Sequence, residues 1–419
     1  MMNKRIFSIL CCMILFTVTQ LWAVELVNPE TEKKIDALLA KMTLEDKIGQ
    51  MVQRNSQGDS EEFLQMIRDG QIGSVLNEIN TDLLNNMQKI AVEETRLGIP
   101  LIIGRDVIHG FQTVFPIPLG LSCSWNPDLV QAGTRISAIE ARSVGVNWTF
   151  APMMDIARDP RWGRIAEGYG EDPYLAGKMA VAMVRGFQGD DLSDPNSLAA
   201  CIKHFAGYGA AIGGRDYNTT YIPEQLLRDV YLPPFKASVD VGAATIMTAF
   251  NDLNGIPASG HELLFRTILK GEWDFQGFVV SDWASITQMV PHGYSADHKE
   301  AAKQAVKAGV DMEMESPAYK DHLKELVEEG AIDVALLDDA VRRILRIKFA
   351  LGLFDNPYTD SSLYPALLNE NNLAAAKEAA VQSAVLLKND GNVLPLSQDT
   401  KVAVLGPLAD APHEQLGTW

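Results

Sequence analysis

The chain has 419 residues, which is long for one ordinary domain and short for two full ones. Hydrophobic residues make up 47% of it and charged residues 21%, which excludes a disordered, collagen-like or disulfide-scaffold protein and allows a sizeable buried core. The 54 acidic residues outnumber the 36 basic ones, and the net charge of −18 argues against nucleic acid as a partner.

The first 23 residues have the pattern of a secretory signal peptide. Lys4 and Arg5 precede an apolar run from Ile6 to Leu15, and Ala23 is a small residue suited to cleavage. A transmembrane anchor is the alternative, but the run is shorter than the roughly 20 residues that a membrane span needs. We therefore expect a periplasmic or secreted protein, with no membrane segment once residues 1–23 are removed.

Helical patterns dominate residues 28–91, with Thr43 as an N-terminal cap and apolar residues at helical spacing over Glu61–Ile67. From residue 72 onward, short apolar runs rich in β-branched residues alternate with longer amphipathic stretches. This alternation is typical of βαβ units and a parallel sheet. The predicted strands are Ile72–Leu76, Pro100–Gly104, Val146–Pro152, Leu198–Ile202, Ala244–Ala249, Gly277–Ser281 and Val310–Met314.

These strands fit either a (β/α)8 barrel with one strand not located, or a doubly wound open sheet. No strand is followed by a glycine-rich phosphate loop, which an open nucleotide-binding sheet usually carries. Polar residues instead follow many different strands, as they do at the carboxyl-terminal face of a barrel. We therefore predict a TIM-like (β/α)8 barrel over residues 24–355.

The alternation ends near Asn356. Prolines and asparagines indicate a linker over residues 356–400, with an alanine-rich helix predicted from Leu373 to Leu387. Lys401–Gly406, with the sequence KVAVLG, has the pattern of a buried strand, but one strand cannot make a sheet. We expect residues 401–419 to be the start of a second α/β domain that is truncated here.

The side chains that follow the predicted strands describe a sugar site. Carboxylates and cations hydrogen-bond ring hydroxyls, an indole stacks on the apolar face of a sugar ring, and a carboxylate can attack the anomeric carbon. In strand order these residues are Arg105, Asp106 and His109; Asp155 and Asp159–Arg164; Lys203 and His204; Asn251 and Asn254; Asp282 and Trp283; and Glu313 and Glu315.

Each candidate also has a purely structural interpretation. Asp106 is placed to cap the next helix, and the Asp159–Arg164 loop is able to pair its own charges. Lys203 is harder to explain in this way, because it follows an apolar strand and would be desolvated without a ligand or a carboxylate partner. Asp282 also ends an apolar run, and a carboxylate at the rim of a barrel has few structural roles. The sequence has no HxxxH pair and no CxxC motif, so we predict neither a metal site nor a cofactor. The remaining histidines, His261, His292, His298, His322 and His413, are interpreted as solvated or core residues.

Five motifs occur in order along the chain. They are GRDVIHG at Gly104–Gly110, ARDPRWGRIAEGYGEDP at Ala157–Pro173, KHFAGYGA at Lys203–Ala210, MTAFNDLNGIPAS at Met247–Ser259 and GFVVSDWASI at Gly277–Ile286. With them the chain resembles the N-terminal barrel domain of glycoside hydrolase family 3, and within it the bacterial periplasmic β-glucosidases. The resemblance covers nearly all of the chain after residue 23.

The resemblance implies a retaining β-glucosidase that removes terminal β-linked glucose from oligosaccharides or glucosides. Asp282, in the SDW motif, would be the nucleophile and would form a covalent glycosyl-enzyme that water then hydrolyses. By the same motif matching, the substrate-binding residues would be Asp106, Arg164, Lys203, His204, Met247 and Trp283. Phe250 stands where some relatives have a tyrosine, so any role of that hydroxyl would be absent.

The acid/base is not found in this sequence. One branch of the family, the β-N-acetylglucosaminidases, carries an Asp and His pair in the loop after KHF, but this loop, AGYGAAIGGRDYNTT, has no histidine. The resemblance therefore favours the two-domain β-glucosidases, in which the acid/base is a glutamate of the second domain. Glu313 and Glu315 are weak substitutes, because they follow a different strand from Asp282.

Other functions remain open at this stage. The chain could be a β-xylosidase of the same family or a sugar-binding protein without hydrolytic activity. An unrelated barrel enzyme, such as an aldolase with Lys203 as the Schiff base, would leave Asp282 and the tryptophans without a role.

Overall fold

The computed structural model describes residues 24–417 and shows an eight-stranded parallel sheet that curls into a barrel. The signal-peptide prediction for residues 1–23 lies outside the described residues. The strands are β1 (Val52–Asn55), β2 (Ser74–Leu76), β3 (Ile102–Arg105), β4 (Trp148–Thr149), β5 (Ala199–Phe205), β6 (Thr245–Thr248), β9 (Phe278–Val280) and β10 (Glu313–Met314). A separate antiparallel hairpin, β7 (Asp252–Leu253) and β8 (Ile256–Pro257), follows β6.

The barrel closes between β9 and β10. The hydrogen-bonded order is β10-β1-β2-β3-β4-β5-β6-β9, and Val280 also bridges to Met312 in parallel, directly before β10. The amide of Ser281 donates to Met312 O at 2.8 Å, and the amide of Met312 donates to Val279 O at 3.0 Å. The nearly closed parallel barrel confirms the predicted (β/α)8 class.

All seven predicted strand segments contain observed strands, and the strand that was not located is β1. Its sequence, VQRN, has two polar residues in the middle, so the prediction of mainly helical structure over residues 28–91 is wrong at this point. Both polar side chains donate hydrogen bonds within the barrel, whereas the buried Gln53 Oε1 has no partner among the described residues. Gln53 Nε2 donates to Ser74 Oγ at 2.8 Å, and Arg54 Nη1 donates to Ser316 O at 2.8 Å.

Helices surround the barrel and bury their apolar faces against it. Thr43 caps its helix as predicted, with its hydroxyl accepting from Asp46 N while the Asp46 carboxylate accepts from Thr43 N. The α-helices are Pro29–Leu39, Leu44–Gln50, Glu61–Arg68, Thr81–Lys89, Pro118–Ser122, Pro127–Arg142, Pro173–Gln188, Glu224–Leu226, Pro233–Asp240, His298–Ala308, Ala318–Glu328, Val334–Ala350 and Glu370–Gln382. The π-helical segments are Ile90–Glu94, Leu227–Tyr231 and Leu263–Glu272. None of the helices in residues 24–417 is long and apolar enough to cross a membrane.

The linker helix forms, but it starts and ends earlier than predicted. It spans Glu370–Gln382, is capped by Asn369, and buries Ala379 against the barrel helices. The segment 401–406 is not a strand in this structure, and Val402, Val404 and Leu405 are exposed. A strand needs a neighbour to accept its backbone hydrogen bonds, and no strand of residues 24–417 lies against this segment. The second α/β domain therefore stays a prediction.

Candidate active site

The carboxyl ends of β3 and β5 place Asp106 and Lys203 together. Lys203 belongs to β5, whose residues are all buried, and its Nζ lies 2.7 Å from Asp106 Oδ1. The Lys203 side chain is 4% exposed and that of Asp106 is 18% exposed, so this ion pair is largely removed from water. Asp106 is therefore not a simple helix cap. It neutralises a lysine that would otherwise be desolvated alone.

His204, the next residue of β5, is held between an acceptor and a donor. Its Nδ1 lies 2.8 Å from Asp155 Oδ2, and Arg164 Nη2 lies 3.1 Å from its Nε2. Because arginine has only donors, Nε2 must accept, which leaves the ring proton on Nδ1 to be donated to Asp155. Burial, with Arg164 and Lys203 nearby, lowers the pKa of His204 well below its ordinary value. His204 is therefore a neutral ring of defined tautomer.

Arg164 is fixed by Glu167, a residue that the sequence analysis did not single out. Its Nε and Nη2 donate to Glu167 Oε1 and Oε2 at 2.7 and 3.0 Å, in a bidentate pair. The two residues are one helical turn apart in the short 3-10 segment Gly163–Glu167, and this spacing is the signal that could have revealed the pair. Arg164 is thereby oriented toward His204 and Asp282.

Asp282 follows β9 closely and is buried. Its amide donates to Thr248 Oγ1 at 3.2 Å, and its Oδ1 accepts from Trp283 N at 2.7 Å. Its Oδ2 lies 3.4 Å from His204 Nε2 and has no hydrogen-bond partner among the described residues. Burial raises the pKa of Asp282 to about 6, although Arg164 and Lys203 act in the opposite direction. A buried carboxylate oxygen in this position can make a bond to a ligand.

Met247 and Trp283 border this carboxylate. Met247 is buried in β6 and pairs in register with Val280 of β9, two residues before Asp282. The side chain of Trp283 is 43% exposed, which leaves much of it open to a bound molecule. The structure thus brings together five of the seven residues that the sequence assigned to the site, and it places Met247 on the neighbouring strand and Trp283 next to Asp282 in the chain.

Other candidates serve the fold. Glu313 is buried, and its carboxylate accepts from the amides of Tyr319 and Lys320 at 2.7 and 3.2 Å, so it caps the helix Ala318–Glu328. Glu315 accepts from the backbone amide of Asn55. Both contacts are structural and leave the low expectation for these glutamates as substitutes for the acid/base unchanged.

Two further predictions about loops can be compared with the structure. Asp159 pairs with Arg161 in its own loop, at 2.6 Å, so that part of the loop satisfies its own charges. The side chain of Asn254 bonds to the amide and the carbonyl of Ile222, at 2.9 and 2.8 Å. Asn254 therefore holds the loop after β5 against the β7–β8 hairpin and does not face the cluster around Asp282. Asn251 Nδ2 donates to Thr220 Oγ1 at 2.9 Å in the same region.

The residues that precede and follow Asp106 have backbone partners. Arg105 Nη1 lies 3.5 Å from Asn77 O, and His109 Nδ1 lies 2.9 Å from Phe115 O. His261 is buried, and His413 is exposed, as expected for core and solvated histidines. Within the part of the chain that the structure describes, no group of three or more His, Cys, Asp or Glu residues is arranged to hold a metal ion.

Comparison with known proteins identifies the family. The model of the glycosyl hydrolase family 3 N-terminal domain matches residues 43–347. The chain belongs to this family. It is 42% identical to a periplasmic β-glucosidase of Salmonella typhimurium, over 94% of this chain and 53% of that protein. It is 32% identical to a β-xylosidase of Formosa agariphila, over 94% of this chain and 53% of that protein.

Solved structures give the same result. The crystal structure of a β-glucosidase from Listeria innocua in complex with glucose has a TM-score of 0.87 and 41% identity, covering 91% of this chain and 55% of that one. A mutant of the Listeria enzyme, solved in complex with laminaribiose, has a TM-score of 0.86 and 41% identity, covering 92% of this chain and 56% of that one. The chain thus spans about half the length of the relatives that it matches.

Proposed function

We propose that this chain carries the sugar-binding and nucleophilic part of a retaining β-glucosidase that acts on terminal β-D-glucosyl residues. The observation that carries the proposal is the buried Asp282 Oδ2, which has no hydrogen-bond partner within residues 24–417 and lies beside the neutral ring of His204. The Salmonella and Listeria relatives named as β-glucosidases support glucose as the sugar.

In the proposed reaction, one carboxylate oxygen of Asp282 bonds to the anomeric carbon of the glucosyl group. The bond between that carbon and the leaving oxygen breaks, and the leaving oxygen takes the electron pair and a proton from an acid. Water then attacks the anomeric carbon, gives up a proton to the conjugate base, and frees glucose and the Asp282 carboxylate. Asp106, Lys203, Arg164 and His204 hydrogen-bond the hydroxyls of the glucosyl group.

The acid/base is proposed to be a glutamate of the second domain, as the family resemblance implies. Three carboxylates gathered around Asp282 in residues 24–417 are each committed to another group. Asp106 binds Lys203, Asp155 binds His204, and Glu167 binds Arg164. A retaining site needs its second carboxyl group about 5 to 5.5 Å from the first and able to reach the leaving oxygen.

The nucleophile can be tested without the acid. In 2,4-dinitrophenyl 2-deoxy-2-fluoro-β-D-glucoside the leaving group departs without protonation, and the fluorine slows hydrolysis of the intermediate, so that the adduct accumulates. We expect one dinitrophenolate released per chain and a fluoroglucosyl group on the peptide that contains Asp282, detected by mass spectrometry. Asp282→Asn should give neither, whereas Asp159→Asn, which alters a carboxylate paired with Arg161, should react like the wild type.

Labelling of another residue, or labelling of Asp282→Asn at the wild-type rate, would contradict the proposal. Two alternatives are resolved by the same reagents. Faster reaction of the corresponding xyloside would favour a β-xylosidase, for which the Formosa relative is the reason. Saturable glucose binding by calorimetry with no adduct from either reagent would favour a sugar-binding protein without hydrolytic activity.

We also propose that the protein acts in the periplasm or outside the cell. The signal-peptide pattern of residues 1–23 supports export, and so does the likeness to a periplasmic relative. Fractionation of cells that express the chain, followed by N-terminal sequencing of the exported form, tests this; an uncleaved protein in the cytoplasm would refute it.

A further inference from the structure

Tyr217 is an aromatic residue beside the site to which neither the motifs nor the proposed mechanism give a role. Its ring centroid lies 4.5 Å from that of Phe250, and Phe250 in turn lies 6.4 Å from the ring of His204. Burial raises the pKa of the Tyr217 phenol, and Asp282 is the charge that adds most to this rise. Tyr217 therefore lies close to the open carboxylate.

The loop that carries Tyr217 is firmly attached to the barrel. Its neighbour Asp216 accepts from Trp162 Nε1 at 2.9 Å, and Thr219 Oγ1 donates to Asp252 Oδ2 at 2.6 Å on the other side. The amide of Ile212 donates to Thr219 O at 3.1 Å and closes the loop on itself. The hydrogen bonds of Asp216 and Thr219 to neighbouring segments, together with the bond from Ile212 to Thr219, hold the loop on both sides of Tyr217.

Tyr217 is nevertheless half exposed and has an unfavourable backbone. Its side chain is 48% exposed, and its φ of 60° lies in the left-handed region, which residues other than glycine rarely adopt. A residue whose only task was to fill the core would be buried. An exposed ring on a strained backbone, in a loop that is held by hydrogen bonds, is the arrangement expected of a ligand-binding residue.

We propose that Tyr217 is a specificity-determining residue that forms the wall for the leaving group of the substrate. The inference rests on the proposed glucosidase function, in which the leaving group departs from the anomeric carbon bound beside Asp282. Phe250 packs against the Tyr217 ring at a tilt of 50°, and the exposed part of the ring is left to stack on a flat leaving group, either an aromatic ring or the apolar face of a second sugar. Trp283, which follows Asp282 directly and is also exposed, borders the same space.

The test uses binding of non-hydrolysable glucosides to the whole chain, measured by calorimetry. Phenyl and methyl 1-thio-β-D-glucoside share the glucosyl group and differ in the leaving group, so the ratio of their dissociation constants reports contacts to the leaving group, and the change in this ratio on substitution reports the part due to Tyr217. We expect the wild type to prefer the phenyl compound by about 3- to 10-fold, the range that aromatic stacking supplies. Tyr217→Ala should abolish this preference, and Tyr217→Phe should keep it.

Tyr221→Ala is the matched control, because Tyr221 is an exposed tyrosine a few residues further along the same loop. It should keep the preference for the phenyl compound. Equal losses in Tyr217→Ala and Tyr221→Ala, or a Tyr217→Ala variant with the wild-type ratio, would overturn the inference. A parallel weakening of free glucose and both glucosides in Tyr217→Ala would also overturn it, by assigning Tyr217 a role in the shape of the glucosyl site.

Failure of the proposed function gives a different result. If the wild type binds neither glucose nor the methyl thioglucoside, the glucosyl site itself is wrong, whatever the variants do. If glucose binds and the phenyl preference is absent from the wild type, the glucosyl site stands and the wall at Tyr217 is refuted.

Discussion

Removing a charged side chain near Asp282 should shift the acid limb of the pH–rate profile, to higher pH when a cation is removed and to lower pH when an anion is removed. Burial is the main reason that the pKa of Asp282 is raised; on top of it the Lys203 ammonium lowers this pKa and the Asp106 carboxylate raises it, although the two form one ion pair. Lys203→Met should therefore move the acid limb to higher pH, and Asp106→Asn should move it to lower pH. The measurement is the initial rate of dinitrophenolate release from 2,4-dinitrophenyl β-D-glucoside between about pH 4.5 and 8.

The wild-type profile sets the scale. Burial raises the pKa of Asp282 from 3.8 to about 6, a change of about 2 units, which corresponds to roughly 3 kcal/mol of preference for the neutral acid. Because only the carboxylate attacks, kcat/KM should fall about tenfold for each pH unit below about 6. The removal of one charge in a partly desolvated pair should shift this midpoint by about half a unit to one unit.

The two variants are expected to shift the midpoint of the profile in opposite directions, so a general loss of activity cannot produce the predicted result. Both substitutions remove a proposed sugar contact and should lower the rate at every pH, but the midpoint of the profile does not depend on the maximal rate. Asp159→Asn, whose carboxylate pairs with Arg161, should leave the midpoint unchanged. A wild-type profile that stays flat to about pH 4.5, or a shift of both variants in the same direction, would refute the assignment of Asp282 as a buried nucleophile under these two charges.

Two further predictions concern stability. Glu167→Gln leaves the largely buried Arg164 without its bidentate partner, so we expect about 3 to 5 kcal/mol less free energy of unfolding in urea. Arg161→Gln, whose side chain is 74% exposed, should leave the free energy of unfolding unchanged within error, and similar losses in both variants would contradict the buried-pair argument. Lys348 donates to Gln50 Oε1 and Gly73 O, and burial lowers its pKa from 10.5 to about 7. Between these two pKa values the unfolded chain binds more protons than the folded chain. The free energy of unfolding of the wild type should therefore rise with pH from about 7 to 10 relative to that of Lys348→Met. If the two curves of unfolding free energy against pH are parallel, the lysine stays charged in the folded protein.

The sequence predicted the barrel because most of its strands are buried on both faces and so appear as apolar runs. β1 was not predicted as a strand, because Gln53 and Arg54 are polar. Their hydrogen-bond partners, Ser74 and Ser316, lie on other elements of the chain. The opposite error occurred at residues 401–406, which are apolar enough for a strand but have no neighbouring strand among residues 24–417. Strand formation depends on a partner, and a local pattern does not reveal whether that partner exists.

The site residues were predictable to the extent that they lie at the carboxyl ends of the barrel strands. Asp106, Lys203, His204 and Asp282 each follow a strand or lie near its end, and parallel strands deliver their carboxyl ends to one face. Glu167 and Tyr217 come from loops, whose path depends on tertiary contacts such as the bond from Trp162 to Asp216. The family resemblance named the strand-borne residues and Arg164, which lies in the same short segment as Glu167, but it did not name Glu167 or Tyr217.

The charge arrangement leaves a single carboxylate of this cluster available for the role that we propose for Asp282. Lys203 is matched by Asp106 and Arg164 by Glu167, while the His204 ring is neutral and donates its proton to Asp155. Each cation is thus already compensated, and its attraction for Asp282 is offset by a nearby anion. Burial raises the pKa of Asp282, and the Asp106 carboxylate adds to this against Arg164 and Lys203. Among the described residues Asp282 also keeps an oxygen without a hydrogen-bond partner, in a site that contains several donors. A carboxylate solvated by one of those cations would be a weaker nucleophile, so under the proposed mechanism the pairs would preserve the reactivity of Asp282 by occupying the groups that would otherwise bind it.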